Sequence, residues 1–135
     1  MVDKKVVQEW LKKADDDFGF AKTNLDDKNT GYFDFICFHL QQAAEKYLKS
    51  FIIAKGLKLE KIHNLIALRK ICAKINPKFE EIRSECVFLN DFYIVTRYPV
   101  ILPVNITRQE AETAQQYTEK IGNLVKQTLH DETLL

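Results

Sequence analysis

Residues 31–56 read GYFDFICFHLQQAAEKYLKSFIIAKG, and this run decides the fold. Between its two glycines lie about 24 residues without Gly or Pro, enough for roughly 36 Å of helix at a rise of about 1.5 Å per residue. Wound at about 100° per residue, Tyr32, Phe33, Ile36, Cys37, Leu40, Ala43, Ala44, Tyr47, Leu48 and Phe51 fill an arc of about 160°. A helix lying on a surface buries a narrower stripe, so this one is expected at the centre of a bundle, touching more than one neighbour. Its polar side carries Asp34, Gln41, Gln42, Glu45, Lys46 and Lys49, with Phe35 and Phe38 among them. Two aromatic rings on a charged face call for a cover, either a second subunit or a loop of the same chain.

The rest of the chain is read outward from this helix. Upstream, Asp3 is placed to cap a first helix running to about Leu25, with Val7, Trp10, Ala14, Phe18, Ala21 and Leu25 facing inward at helical spacing. Asp15, Asp16 and Asp17 point in three directions about 100° apart, which suits a solvated face and not a metal site. The turn Asp26–Gly31 offers Thr30 as a cap for the central helix.

Downstream, Gly56 closes the central helix as a left-handed C-terminal residue. A third, shorter helix follows, capped by His63 or Asn64, with Leu65, Leu68, Cys72 and Ile75 inward and Asn76-Pro77 as its stop. A fourth is expected from about Lys78 to Thr96 or Tyr98 on the stripe Phe79, Ile82, Cys86, Leu89, Tyr93 and Thr96. Its second half gains apolar width through Val87, Phe88, Phe92, Ile94 and Val95, as if the bundle thickened or a partner sat there. Thr107-Arg108-Gln109-Glu110 is a capping box opening the last helix. That helix carries Ala111, Ala114, Tyr117, Ile121, Leu124, Val125 and Leu129, and its tail is expected to fray from Asp131 to Leu135. The expectation is an all-α protein, a four-to-five-helix up-and-down bundle, with residues 1–135 as one domain.

Composition narrows the function. The 135 residues are 46% hydrophobic and 29% charged, with 4 Gly, 3 Pro and a formal charge of +1. Such a balance exerts no global pull on nucleic acid or an anionic membrane. No basic-then-apolar leader opens the chain and no apolar run approaches the ~20 residues that span a bilayer, so a cytoplasmic protein without membrane contact is expected. Cys37, Cys72 and Cys86 stand alone on apolar stripes and read as reduced core residues. There is no phosphate loop, dinucleotide fingerprint, nucleophile elbow or pair of histidines at metal spacing. The reading calls for no cofactor, no metal and no assigned catalytic residue.

Arg97 is the residue to single out. It follows Tyr93 by four positions and Asn90 by seven, so the three share one side of the fourth helix, and Pro99 turns the chain just beyond. A guanidinium beside a rigid turn suits a phosphate or carboxylate, and the same position also suits a plain helix C-terminal cation. His39 lies at the margin of the apolar arc of the central helix, and His63 precedes the third helix.

These residues also carry a resemblance. WLKKADDDFGFA (10–21), FHLQQAAEKYLKSFIIAKG (38–56), IHNLIAL (62–68) and YIVTRYP (93–99), in this order and at these separations, resemble the HEPN domain, the "higher eukaryotes and prokaryotes nucleotide-binding" domain. The likeness runs from about Val6 to Gln127. It implies a compact helical bundle that commonly forms a homodimer. For small prokaryotic members it also implies a minimal nucleotidyltransferase as partner, in a toxin–antitoxin-type pair, and a nucleotide or RNA as ligand. By position the family's Arg-Tyr-Pro turn falls on Arg97, Tyr98 and Pro99, its polar central-helix positions on His39, Gln42, Glu45, Lys46 and Lys49, and its helix-initiating His on His63.

One departure bears on chemistry. HEPN ribonucleases carry Arg, four to six residues, then His near the end of the fourth helix, whereas Arg97 is followed by Tyr98 to Val104 with no His. Cleavage at a 2′-hydroxyl needs a base or acid near neutrality. The metal-independent ribonuclease is therefore the lesser alternative, drawing on His39 or His63, beside a purely structural oligomerisation domain. The leading expectation is a nucleotide-binding or partner-docking module using Arg97, Tyr98, Pro99, Tyr93, Asn90, His39, Gln42, Lys46, Lys49 and His63.

Overall fold

The computed structural model describes residues 2–59, 61–93 and 105–135. They form five α-helices, α1 (Lys4–Asp26), α2 (Phe33–Ala54), α3 (Leu65–Ile75), α4 (Arg83–Asn90) and α5 (Arg108–Asp131), with a 3₁₀ segment at Pro77–Ile82. No strand occurs among the described residues. The helix α2 touches all four others, most extensively α1 and then α5, and apolar side chains from every helix meet in one core around it.

The helix ends follow from local chemistry. The Asp3 side chain accepts the Lys5 N–H, and Asn64 accepts from both Ile66 and Ala67 at the start of α3. Asn64 is thus the cap, and His63 is left for another role. Thr107 and Glu110 complete the expected capping box. Thr30 behaves differently from the expectation: its hydroxyl accepts from the Tyr32 N–H, before the helix begins, and α2 has no side-chain cap. Gly56, at φ +74°, closes α2 with Gly56 N–H to Ile53 O and Leu57 N–H to Ile52 O. That paired pattern satisfies carbonyls the helix would otherwise leave bare.

The inward stripes are right in phase and wrong in detail. In α1, Leu11 is buried, while Trp10 and Phe18 are only half-buried. In α3, Arg69 is buried and Ile75 is not fully so; the Arg69 guanidinium lies 3.1 Å from Glu80 as an ion pair. The fourth segment is not one helix. It starts as a 3₁₀ turn, where residues three apart eclipse, so Phe79 and Ile82 both point into the core. The regular α-helix ends at Asn90, Asp91 keeps right-handed helical angles in a turn, and Phe92 and Tyr93 are helical again; the expected end at Thr96 or Tyr98 lies outside the described residues. At its apolar end Phe92 is buried and Phe88 packs edge-on against Phe92 and Tyr117, while Val87 stays open.

Two further findings concern charge. The polar side of α2 is mostly inside: Gln41, Glu45 and Lys49 are 0%, 5% and 6% exposed. A helix wrapped by four neighbours has little face left for water. Likewise the aspartates of α1 are not all solvated. Asp16 pairs with Lys12 on the surface, and Asp15, also exposed, accepts from Tyr47 and Lys126, but Asp17 is half-buried, accepts from Lys46 and faces His39. They clamp α1 to α2 and α5. Phe35, by contrast, is 64% exposed beside the exposed Tyr32. Phe38 is half-buried.

At the C-terminus, where fraying was expected, the Leu134 N–H meets Leu129 O, and Glu132 binds Lys55 and Asn76. The three cysteines are free and buried.

Candidate functional site

Glu45 is the centre of the site. It sits on α2, four residues from Gln41 and four from Lys49, so the three form one row along the helix. The Lys49 ammonium donates to Glu45 Oε2 at 2.9 Å. His63, from the loop ahead of α3, brings Nδ1 to 3.2 Å from the same oxygen. Glu45 Oε1 is buried without a hydrogen-bond partner among the described residues. Taking a carboxylate and an ammonium out of water is costly even when paired, and an orphaned buried acceptor is the kind of departure that marks a site.

The walls come from the loop ahead of α3 and from the chain between Asn90 and Tyr93. The His63 ring stacks on Tyr93, centroids 5.6 Å apart and planes 13° from parallel. Asn90 Oδ1 accepts the Leu65 N–H at 2.8 Å, which ties the end of α4 to the start of α3. Gln41 reaches the His63 carbonyl at 3.5 Å and accepts from Gln42 at 2.8 Å. The His63 side chain is 47% exposed while those of Glu45 and Lys49 are 7% exposed, so a half-open imidazole is anchored on a closed ion pair. Chemically the arrangement offers a fixed imidazole, a flat aromatic pair and a buried charge pair behind them. Among the described residues no group of three or more His, Cys, Asp or Glu could hold a metal ion.

Residues 7–128 match the HEPN domain family. The chain belongs to that family. Among solved structures, this HEPN domain is similar to TT1696 from Thermus thermophilus, with 29% identity and a TM-score of 0.76 over 90% of this chain and 96% of that one. It is similar to ST0689, an archaeal HEPN homologue, with 26% identity and a TM-score of 0.72 over 91% and 97%. A HEPN domain protein of Thermotoga maritima, 24% identical with a TM-score of 0.64 over 90% and 98%, shares the fold. No curated protein matches the sequence.

Within this HEPN domain the expected site residues divide. Lys49, His63, Tyr93 and Asn90 come together, with Gln42 joined to them through Gln41. His39 and Lys46 do not join them: both turn to Asp17 on α1, where His39 Nδ1 lies 2.9 Å from the carboxylate and its ring packs against Phe20 and Phe38. One angular step around α2 separates the two groups. Arg97, Tyr98 and Pro99 lie outside the described residues. The residues underrated by sequence are Glu45, Gln41 and Asp17. The signal for the first two was present, in polar residues every fourth position on a helix expected to be enclosed. No helix among the described residues is long and apolar enough to cross a membrane.

Proposed function

We propose that this HEPN domain is a non-catalytic module that binds a nucleotide at the Glu45–Lys49–His63–Tyr93 face together with Arg97 and Tyr98, and that works as a homodimer beside a minimal nucleotidyltransferase in a toxin–antitoxin-type pair. The observation that supports it is the buried Glu45–Lys49 pair carrying a half-exposed His63 stacked on Tyr93. A core residue set chosen for stability alone would be better served by apolar side chains. Aromatic faces accept a base, and an arginine four residues beyond Tyr93 in sequence supplies paired donors for phosphate. The exposed Phe35 and Tyr32 at the start of α2 support a second copy as their cover.

The test is calorimetric titration of the purified chain with ATP, GTP, CTP and UTP, repeated with Arg97→Ala and His63→Ala. Binding to at least one nucleotide, weakened about tenfold or more by each variant, is the expected result. Absence of binding to all four overturns the nucleotide reading. Co-expression with a nucleotidyltransferase encoded beside the gene tests the partner: a complex surviving gel filtration is expected, and two separate peaks count against it.

One observation favours a second reading. An imidazole held through Nδ1 by a carboxylate is also how a general base is held, which supports a ribonuclease using Arg97 and His63. RNA degradation by the purified chain in excess chelator, lost with His63→Ala, would favour it over the binding module.

A further inference from the structure

We infer that the Glu45–His63 pair makes this site a reader of the ribose 2′-hydroxyl, so that it takes ribonucleotides in preference to deoxyribonucleotides, with Glu45 as the positioning residue. The inference rests on the nucleotide-binding reading above and deepens it. It starts from one oxygen. Glu45 Oε2 receives the Lys49 ammonium at 2.9 Å and faces His63 Nδ1 at 3.2 Å. An oxygen already taking a hydrogen from an ammonium has none of its own to give, so in the second contact the imidazole is the donor. A neutral imidazole has one N–H and one lone pair. With the hydrogen held on Nδ1, Nε2 is left as an acceptor.

Burial makes this choice firm. Glu45 and Lys49 are both more than nine-tenths buried, so water does not compete for Oε2, while the His63 ring remains about half open beside the parallel ring of Tyr93. A nucleotide meeting such a face must present a donor to Nε2. Its ionised phosphate oxygens only accept. Base edges differ in what they offer at each position, and a base stacked on the rings presents its face to them. The 2′-hydroxyl adjoins the carbon that carries the base, and it is the group that separates ribose from deoxyribose. In this proposal the base lies against the His63–Tyr93 pair and its 2′-hydroxyl donates to Nε2.

The experiment compares ATP with dATP and GTP with dGTP by calorimetry on the full chain, for wild type, the double variant Glu45→Leu with Lys49→Met, and His63→Phe. Wild type is expected to bind the ribonucleotide about tenfold more tightly, the value of one well-formed hydrogen bond. The double variant removes the acceptor that holds the imidazole hydrogen on Nδ1 together with the charge it pairs, so the hydrogen is free to sit on either nitrogen and the preference should fall. His63→Phe keeps a ring for stacking, removes the acceptor, and should bring the preference to parity even if the double variant does not fold. Nitrogen NMR of the His63 ring supplies a readout independent of ligand: Nδ1 protonated and Nε2 bare in wild type, a mixture of the two in the double variant. Equal affinity of wild type for ATP and dATP overturns the inference while the nucleotide reading stands. No binding of either overturns both.

Discussion

Glu45 and Lys49, one helical turn apart on α2, form an ion pair at 2.9 Å from which water is almost excluded. Removing one partner leaves the other charged and buried, which costs about 3–5 kcal/mol. Glu45→Ala and Lys49→Ala should therefore each lower the urea midpoint strongly. A double variant, Glu45→Leu with Lys49→Met, should recover most of that loss because both charges leave together. A double variant as unstable as the singles would mean that the pair is not the source of the cost. The pair is thus expected to serve the site more than the fold.

Gly122 on α5 lies where α5 crosses the ring of Tyr47. A Cβ built at this position would stand 2.9 Å from the ring. The ring is poorly placed to retreat, since its hydroxyl is held by Asp15 and Lys126 sits over its face. Gly122→Ala gains helix propensity worth about 1 kcal/mol and loses about 1–3 kcal/mol to overpacking. Net destabilisation is expected in thermal melts, and Tyr47→Leu should make the alanine tolerable.

Glu85 and Lys120 join α4 to α5 at 2.7 Å. Burial pushes the Glu85 carboxyl upward, but hydrogen bonds from Lys120, its own backbone and Ser84 outweigh it, so the net direction is below the ordinary carboxylate range. The Lys120 ammonium is raised, chiefly by its hydrogen bond to Glu85. A lowered acid stabilises above its unfolded value and loses that contribution as pH falls through its folded value. A raised base stabilises below its unfolded value and loses it as pH climbs through its folded one. The stability difference between wild type and Lys120→Met should be largest between about pH 6 and 9 and should shrink on both sides. A difference independent of pH would assign the effect to packing.

Cys37, Cys72 and Cys86 are closed to solvent. Burial pushes Cys37 and Cys86 up to about 12, and Cys72 upward as well. The thiolate is the reactive form, so a disulfide reagent at pH 8 should leave all three untouched in the folded protein and titrate all three in urea. Rapid labelling of one thiol in the native state would mean local opening at that helix.

The loop side of the site gives a further contrast. Asn64 caps α3 through two backbone N–H groups, so Asn64→Ala should cost about 1 kcal/mol. His63→Ala removes no cap, and at the half-exposed ring it should change chemical denaturation much less while weakening nucleotide binding about tenfold or more. Equal losses of stability in the two would make His63 structural.

What could be read from the chain alone was whatever depends on residues near one another in sequence. The helical period of residues 31–56, the left-handed Gly56, the Pro77 stop and the Thr107–Glu110 box are local properties of the backbone, and they fix where helices begin, end and turn their apolar sides. Four short motifs in order were enough to name the family. The tertiary structure decided which polar residues are enclosed. Helical spacing puts Gln41, Glu45 and Lys49 on one polar side of α2, because it says which side chains share a side, and nothing in it says what is laid against that side. Asp17 and His39 meet across a sequence gap of 22 residues, and His63 and Glu45 across one of 18. Those pairings depend on how α1 and the loop before α3 dock on α2. Docking is set by the sum of many weak contacts over the whole core, and no single stretch of sequence carries that sum.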